Sequence, residues 1–369
     1  MDALLPLWPL VCGPMLIAAL AVPPVKRLAW RCDLVDRPEA AAHKSHEQPT
    51  PYGGAIAIAC GLFLTLGVAL PYGLPPLRDY AMQDNIFWLV DLVRVGSGFV
   101  HAGGDLWIVL LGGCALLLSG LIDDWRGLPP LTRLLAQLGI IAIVVFAAPA
   151  CRLALFPDAP YLNIGLTVLW IGAMTNAFNF LDNMDGLSAG IAAIALIVLS
   201  FMAFLLRDFA LATLCLALFG ALCGFLLYNL PPATIFMGDA GGLFLGFCTS
   251  AAAAILSRSY AEATLYGPYQ LAPLLVLAVP VYDFASVNLI RIRSGAKPWI
   301  GDKNHISHRL VRAGLSRRGA VLAIYALTGL TALPALLALR FDAIYWLSAT
   351  AILIGLLAIA DNLRYTPPE

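Results

Sequence analysis

Apolar runs of membrane-spanning length recur along the whole chain, and no other feature constrains its fold as tightly. A helix needs about 20 predominantly apolar residues to cross a bilayer. Candidate runs fall at 3–22, 52–72, 105–122, 131–150, 161–179, 187–206, 209–229, 236–257, 271–290, 319–339 and 343–360. In lipid every backbone polar group must be satisfied within the protein, so runs of this length are helices. The expected fold is all-α, a polytopic integral membrane protein of about eleven transmembrane helices. Composition agrees: of 369 residues, 61% are hydrophobic and 12% charged, where a soluble domain carries about 25% charge. Disorder, a coiled coil and a separately folded soluble domain are excluded. We read residues 1–369 as a single transmembrane domain with the lipid bilayer as its solvent.

Formal net charge is zero, from 22 basic and 22 acidic residues, so no basic field points to nucleic acid. The eight cysteines form no C-x-x-C pair of the kind that holds zinc or cycles redox, and most sit inside apolar runs as expected buried thiols. Placement of the charges says more than their sum. Asp2 precedes the first run while Lys26, Arg27 and Arg31 follow it, the reverse of a secretory signal peptide. The N-terminus is therefore expected outside and, after eleven crossings, the C-terminus in the cytoplasm. That threading puts sixteen of the 22 basic residues on one side, which the positive-inside rule makes cytoplasmic. The expected cytoplasmic loops are 23–51, 123–130, 180–186, 230–238 and 291–318. Segment 85–95, apolar but interrupted by Asp91 and Arg94, is too short to span and is expected to lie at the interface.

Ionisable residues at span ends are costly unless paired or wet, so each needs a reason. Asp123 and Asp124 close one run in GLIDDWRGLPP. Asn176, Asn179, Asp182 and Asp185 follow at i, i+3 spacing in NAFNFLDNMDGLSAG, one helical stripe. Asp239 opens another run in IFMGDAGGLFLG. His43, Lys44 and His46 share the first internal loop; His305, His308 and Arg309 lie in the large internal loop, in GDKNHISHRL. Each cluster alone has a plain reading: a solvated helix end for the aspartate pair, an interhelical hydrogen-bond seam for the stripe, an N-cap for Asp239. Together, carboxylates and amides beside a Lys/His/Arg loop suit a hard cation such as Mg²⁺, which binds through one or two carboxylates plus substrate phosphates. Phosphoryl transfer is mainly positioning and charge neutralisation, which explains the basic partners.

Taken in order, DRPEAAAHKSHEQPTPYGGAIAI, GLIDDWRGLPP, NAFNFLDNMDGL, IFMGDAGGLFLG and GDKNHISHRL resemble the polyprenyl-phosphate N-acetylhexosamine-1-phosphate transferase superfamily (glycosyltransferase family 4), over roughly residues 1–340. The resemblance implies a membrane enzyme that moves a sugar 1-phosphate from a UDP-N-acetylhexosamine, most simply UDP-GlcNAc, to undecaprenyl phosphate, releasing UMP. It implies Mg²⁺, with Mn²⁺ as the alternative ion, on Asp239. It puts Asp123 and Asp124 in the catalytic centre, with Lys44 and His305, and His46, Asn176, Asn179, Asp182, Asp185, His308 and Arg309 on the substrates. The implied location is the bacterial cytoplasmic membrane, with the active site on the cytoplasmic face and a homodimer left open. Two positions depart from the family pattern. Ser307 stands at the middle histidine of H-x-H-H, so that role is lost or taken by a hydroxyl, and Asn183 stands where glycine is usual. The loop also lacks the P-x-H-H-H pattern of phospho-MurNAc-pentapeptide transferases, which places the chain nearer the GlcNAc-1-phosphate (WecA-type) branch.

The acceptor is a phosphate monoester with a second pKa of about 6, already largely a dianion near neutral pH. The expected reaction is therefore one in-line displacement, with Lys44, His305 and Arg309 neutralising charge on the leaving UMP. Asp123 or Asp124 as base or nucleophile is the competing mechanism. The rival of another class is a transporter or flippase for a nucleotide- or lipid-linked sugar, for which midplane sites and internal repeats are typical.

Overall fold

The structure, a computed structural model, describes residues 8–37, 49–73, 103–263, 268–295, 303–337, 344, 346 and 348–355. Helices dominate: α1 (Trp8–Arg31), α2 (Gly54–Gly73), α3 (Gly103–Arg126), α4 (Pro130–Ala147), α5 (Pro160–Leu181), α6 (Leu187–Leu205), α7 (Phe209–Asn229), α8 (Gly238–Ala263), α9 (Ala272–Leu275), α10 (Ala278–Arg293), α11 (Ile306–Arg312) and α12 (Arg317–Leu337). Among the described residues eight helices are long and apolar enough to cross a membrane, and a bent pair, Pro268–Leu275 with Ala278–Arg293, makes a ninth. The protein is thus a multi-pass membrane protein. Large apolar side chains such as Leu111 and Ile143 stand on its outer surface, Ile143 at 69% exposure, as lipid contact requires.

Local chemistry sets the helix ends. Gly127, with φ +64°, closes α3, and its N–H bonds the Asp123 carbonyl at 2.7 Å, the left-handed C-terminal stop that glycine permits. Prolines stand in the first turn of α4 and α5, where a missing N–H costs nothing. Asp208 caps α7 by accepting from the Leu211 N–H at 3.0 Å.

Helix α8 is the most deeply buried of the long helices, with residues 240–257 all inside the bundle. It packs on α3 and α5; α7 packs on α1, α2 and α6; α10 lies against α5, and α12 against α6. Glycines allow these approaches. A Cβ on Gly242 would fall 2.6 Å from the Asn179 Cα, and one on Gly246 2.6 Å from the Thr175 Cα, so α8 meets α5 along successive turns.

Several expected boundaries move. Helix α1 runs through Pro23 and Pro24 to Arg31, so the first internal loop starts after residue 31 rather than at 23. Prolines are tolerated in membrane helices where neighbours re-satisfy the freed backbone groups. Run 271–290 is two helical pieces at 75°, not one helix; they break at 276–277, and Pro280 has no N–H to continue the ladder across the break. Loops 123–130 and 180–186 begin inside α3 and α5, and 291–318 contains α11 and the start of α12. Two short strands that the sequence did not announce, β1 (Val35–Asp36) and β2 (Thr50–Pro51), pair antiparallel with Asp36 opposite Thr50. Among the thiols, Cys151, Cys215 and Cys248 are buried as expected, whereas Cys12 and Cys32 are exposed. Segment 85–95 lies outside the described residues, as does much of 343–360.

Candidate active site

The carboxylates singled out in the sequence meet where α3 reaches α8. Asp124 accepts the Asp239 N–H on Oδ1 at 2.8 Å and the Ala240 N–H on Oδ2 at 3.2 Å. It therefore caps the N-terminus of α8 from a different helix, satisfying two donors that have no intrahelical partner and complementing the helix dipole. Asp239 is not its own helix's cap; it sits in the first turn with its side chain turned to the cleft. This approach needs glycine twice. Gly238 has φ +78° and a Cβ there would lie 2.5 Å from Asp124 Oδ2; a Cβ on Gly120 would lie 2.3 Å from the Ala240 Cα.

Arg133, one turn into α4, donates from one nitrogen to both Asp123 Oδ2 and Asp239 Oδ2, each at 2.8 Å. Asp123 is buried and also accepts the Leu128 N–H at 2.7 Å. Two carboxylate oxygens from separate helices thus converge on one cationic point.

Around this point opens a cleft of about 1400 Å³. Of the sequence candidates it is lined by Asp123, Asp124, Asn176, Asn179, Asp182, Asp185, Asp239, His305 and His308. Asn176 and Asn179 lie on α5, while Asp182 is its C-cap and Asp185 lies in the turn to α6. The stripe thus leaves the helix half-way yet keeps facing the cleft. Asp185 is held by the Ala233 N–H at 2.9 Å. Burial, reinforced by the carboxylates of Asp239 and Asp185, pushes Asp182 up to about 7.

One group of lining residues is basic: Arg291, Lys303 and Arg317 join His305 and His308. His305 is the N-cap residue of α11. Its Nδ1 lies 2.7 Å from Asp283 Oδ2, and Asp283 Oδ1 accepts the Ile306 N–H at 2.7 Å. The same carboxylate thus orients the imidazole and starts the helix. Burial, then the neighbouring His305, Lys303, Arg312 and Arg317, pull His308 down to about 4. A neutral imidazole among cations marks a place that favours an anion. Phe180 lines the floor, stacked on Phe284 with ring centroids 6.3 Å apart and with the Arg291 guanidinium 5.6 Å above it. A third group is apolar: Leu134 and Leu138 of α4 with Leu169 and Ala173 of α5, Leu169 being 67% exposed on the bundle surface.

Not every candidate arrives. Arg309 does not line the cleft; it donates to Ser286 Oγ at 2.8 Å and lies over the Tyr282 ring, along α10. Lys44 and His46 fall in 38–48, outside the described residues, although Asp36 and Thr50, which flank that segment, both line the cleft. Tyr52 lines it too, hydrogen-bonded with Asp36, and burial with that carboxylate raises its phenol above the usual range. Arg133, Asp283 and Arg291 were missed. Each is an ionisable residue within or at the end of a run counted as a span, and that cost was the available signal.

A cleft lined by carboxylates, amides and basic side chains is thus built where helix ends converge. A family profile described as Glycosyl transferase family 4 matches residues 106–257. The chain is 30% identical over 346 residues to a probable undecaprenyl-phosphate N-acetylglucosaminyl 1-phosphate transferase of Bacillus subtilis, covering 92% of this chain and 86% of that one. It is 33% identical over 325 residues to the decaprenyl-phosphate N-acetylglucosaminephosphotransferase of Mycolicibacterium smegmatis, covering 80% and 74%. A phospho-N-acetylmuramoyl-pentapeptide-transferase of Staphylococcus carnosus is 26% identical over 244 residues, covering 63% and 70%. The chain belongs to glycosyl transferase family 4, on the side of the polyprenyl-phosphate GlcNAc-1-phosphate transferases rather than the pentapeptide transferases.

Proposed function

We propose that this protein transfers GlcNAc 1-phosphate from UDP-GlcNAc to undecaprenyl phosphate, releasing UMP, as the first membrane step of a cell-surface polysaccharide. The observation that carries the reading is a single cleft with three chemically different walls. Carboxylates gather on α3, on α8 and in the turn after α5, basic side chains on α10, on α12 and around the start of α11, and apolar side chains on α4 and α5 lead out to the bundle surface. A nucleotide diphosphate suits the first two walls and a polyprenyl tail the third. A transporter reading lacks this support, because the carboxylates of the cleft gather at helix ends.

The oxygen-only donors Asp239 and Asp123, already converging on the Arg133 cation, fit Mg²⁺, an ion that uses one or two carboxylates and completes its shell with phosphate oxygens and water. Bound there, it would neutralise and polarise the diphosphate. The remaining work falls to the chain. Arg133, Arg291, Lys303 and Arg317 offset phosphate charge, and His305, oriented through Nδ1 by Asp283, presents Nε2. The acceptor phosphate oxygen attacks the sugar-bearing phosphorus, the bond from that phosphorus to the bridging oxygen breaks, and UMP leaves with that oxygen. No proton need be removed from a dianionic acceptor. Both oxygens of Asp124 are committed to the α8 N-terminus, so we assign it to positioning Asp239 rather than to base or nucleophile. The excess of basic residues on this side supports a cytoplasmic site at the inner membrane.

The test is UMP release by detergent-solubilised protein with undecaprenyl phosphate and Mg²⁺, across a panel of UDP-N-acetylhexosamines. UDP-GlcNAc should be turned over fastest, and no UMP from any member would overturn the proposal.

A further inference from the structure

The two positions at which the chain departs from the family pattern touch one another. Ser307 Oγ donates to Asn183 Oδ1 at 2.7 Å, across 124 residues of sequence. Asn183 Nδ2 in turn donates to the Phe180 carbonyl at 2.8 Å, one of the last carbonyls of α5, where intrahelical partners run out. That second bond fixes the carboxamide with its oxygen toward Ser307.

Placement gives the contact its meaning. Asn183 lies between Asp182 and Asp185 in the acidic turn and lines the cleft. Ser307 lies between His305 and His308 on the first turn of α11, yet it is 0% exposed and does not reach the cleft. Its hydroxyl therefore does not stand in for an imidazole toward a ligand; it ties α11 down. Asp283 and Ser286 hold this seven-residue helix to α10, whereas Ser307 holds it to the acidic turn on the other side. A glycine at 183 would leave the buried Ser307 hydroxyl without its acceptor. An imidazole at 307 would meet the Asn183 carboxamide.

We propose that Asn183 and Ser307 form one positioning unit that replaces the glycine-and-histidine combination and sets the spacing between the acidic turn and the histidine helix, hence the grip on the diphosphate of the sugar nucleotide. The inference rests on the transferase reading above. Its test is a double-mutant cycle on the solubilised protein, with KM for UDP-GlcNAc and for undecaprenyl phosphate measured separately from kcat by UMP release. Ser307→Ala and Asn183→Ala should each raise KM for UDP-GlcNAc about fivefold, the worth of one neutral hydrogen bond, with kcat and the lipid KM within about twofold. The double alanine variant should be no worse than either single one. Ser307→His alone should lose more than about tenfold in kcat/KM, and adding Asn183→Gly should restore most of it. The alanine variants only truncate, so they remain informative if the histidine variant does not fold. Additive losses in the alanine cycle, or a change in kcat with KM unmoved, would overturn the pairing. Absence of UMP from the unmodified protein would instead overturn the transferase reading, and the inference with it.

Discussion

Replacing Asp283 with asparagine probes how the histidine at the head of α11 is held. The carboxylate is 1% exposed and bridges two groups, His305 Nδ1 and the Ile306 N–H, each at 2.7 Å. A carboxylate only accepts, so Nδ1 carries the proton and Nε2 is left for the cleft. Asparagine has the same shape but must present an NH₂ on one side. With its oxygen kept on the Ile306 N–H, its nitrogen faces Nδ1 and drives the imidazole proton to Nε2. The imidazole then offers the wrong tautomer, and a charge-assisted hydrogen bond of about 1.5–3 kcal/mol is lost. At about 1.4 kcal/mol per tenfold, kcat/KM for UDP-GlcNAc should fall by about 10- to 150-fold in Asp283→Asn. Asp283→Ala leaves both partners without an acceptor and should fall further, with a lowered Tm. The assay is UMP release across pH, beside thermal unfolding of the same samples. An Asp283→Asn enzyme within twofold of the unmodified kcat/KM, with an unshifted pH profile, would refute the reasoning.

Three further outcomes follow from the same geometry. Gly120→Ala puts a Cβ 2.3 Å from the Ala240 Cα, a backbone contact that cannot rotate away; stability should drop by about 1–3 kcal/mol and Mg²⁺ affinity should weaken, whereas Gly67→Ala, with nothing within 4 Å, should change neither in calorimetry and metal titration. Asp239→Asn should abolish activity and Mg²⁺ dependence together, and a variant that keeps Mg²⁺-dependent UMP release would remove Asp239 from the metal site. Asp182, raised from 3.8 to about 7, holds a proton in the folded state that the unfolded chain has released. Its contribution is therefore present below about pH 4 and is lost as pH rises through about 7. In EDTA, Asp182→Asn should gain on the unmodified protein at pH 8, by ~2 kcal/mol after discounting for partial exposure, and show no gain at pH 4. Equal Tm differences at both pH values would contradict the assignment.

Most of the helices were legible because a span is written in contiguous apolar residues: 187–206 and 209–229 fall within one residue of α6 and α7. The acidic clusters were legible for the complementary reason, since a carboxylate at a span end has to be accounted for. Sequence alone therefore determined a helical membrane enzyme, its family and the residue types of its candidate site. It did not determine which way those residues face. Arg309 is basic and sits in the right motif, but Ser286 and the Tyr282 ring draw it onto α10. Arg133 and Asp283 lay hidden in runs read as spans and Arg291 just past the end of one, and they join the candidate site only through partners on other helices. Asp124 reads in the sequence only as half of an acidic pair; that it caps α8 depends on the glycines at 120 and 238, which let that helix come close. Asn183 and Ser307 were each visible as departures, yet their contact spans 124 residues. Hydrophobicity is a local property that one stretch of chain carries by itself. A hydrogen-bonded site depends on distances between segments, and those exist only once the helices have packed.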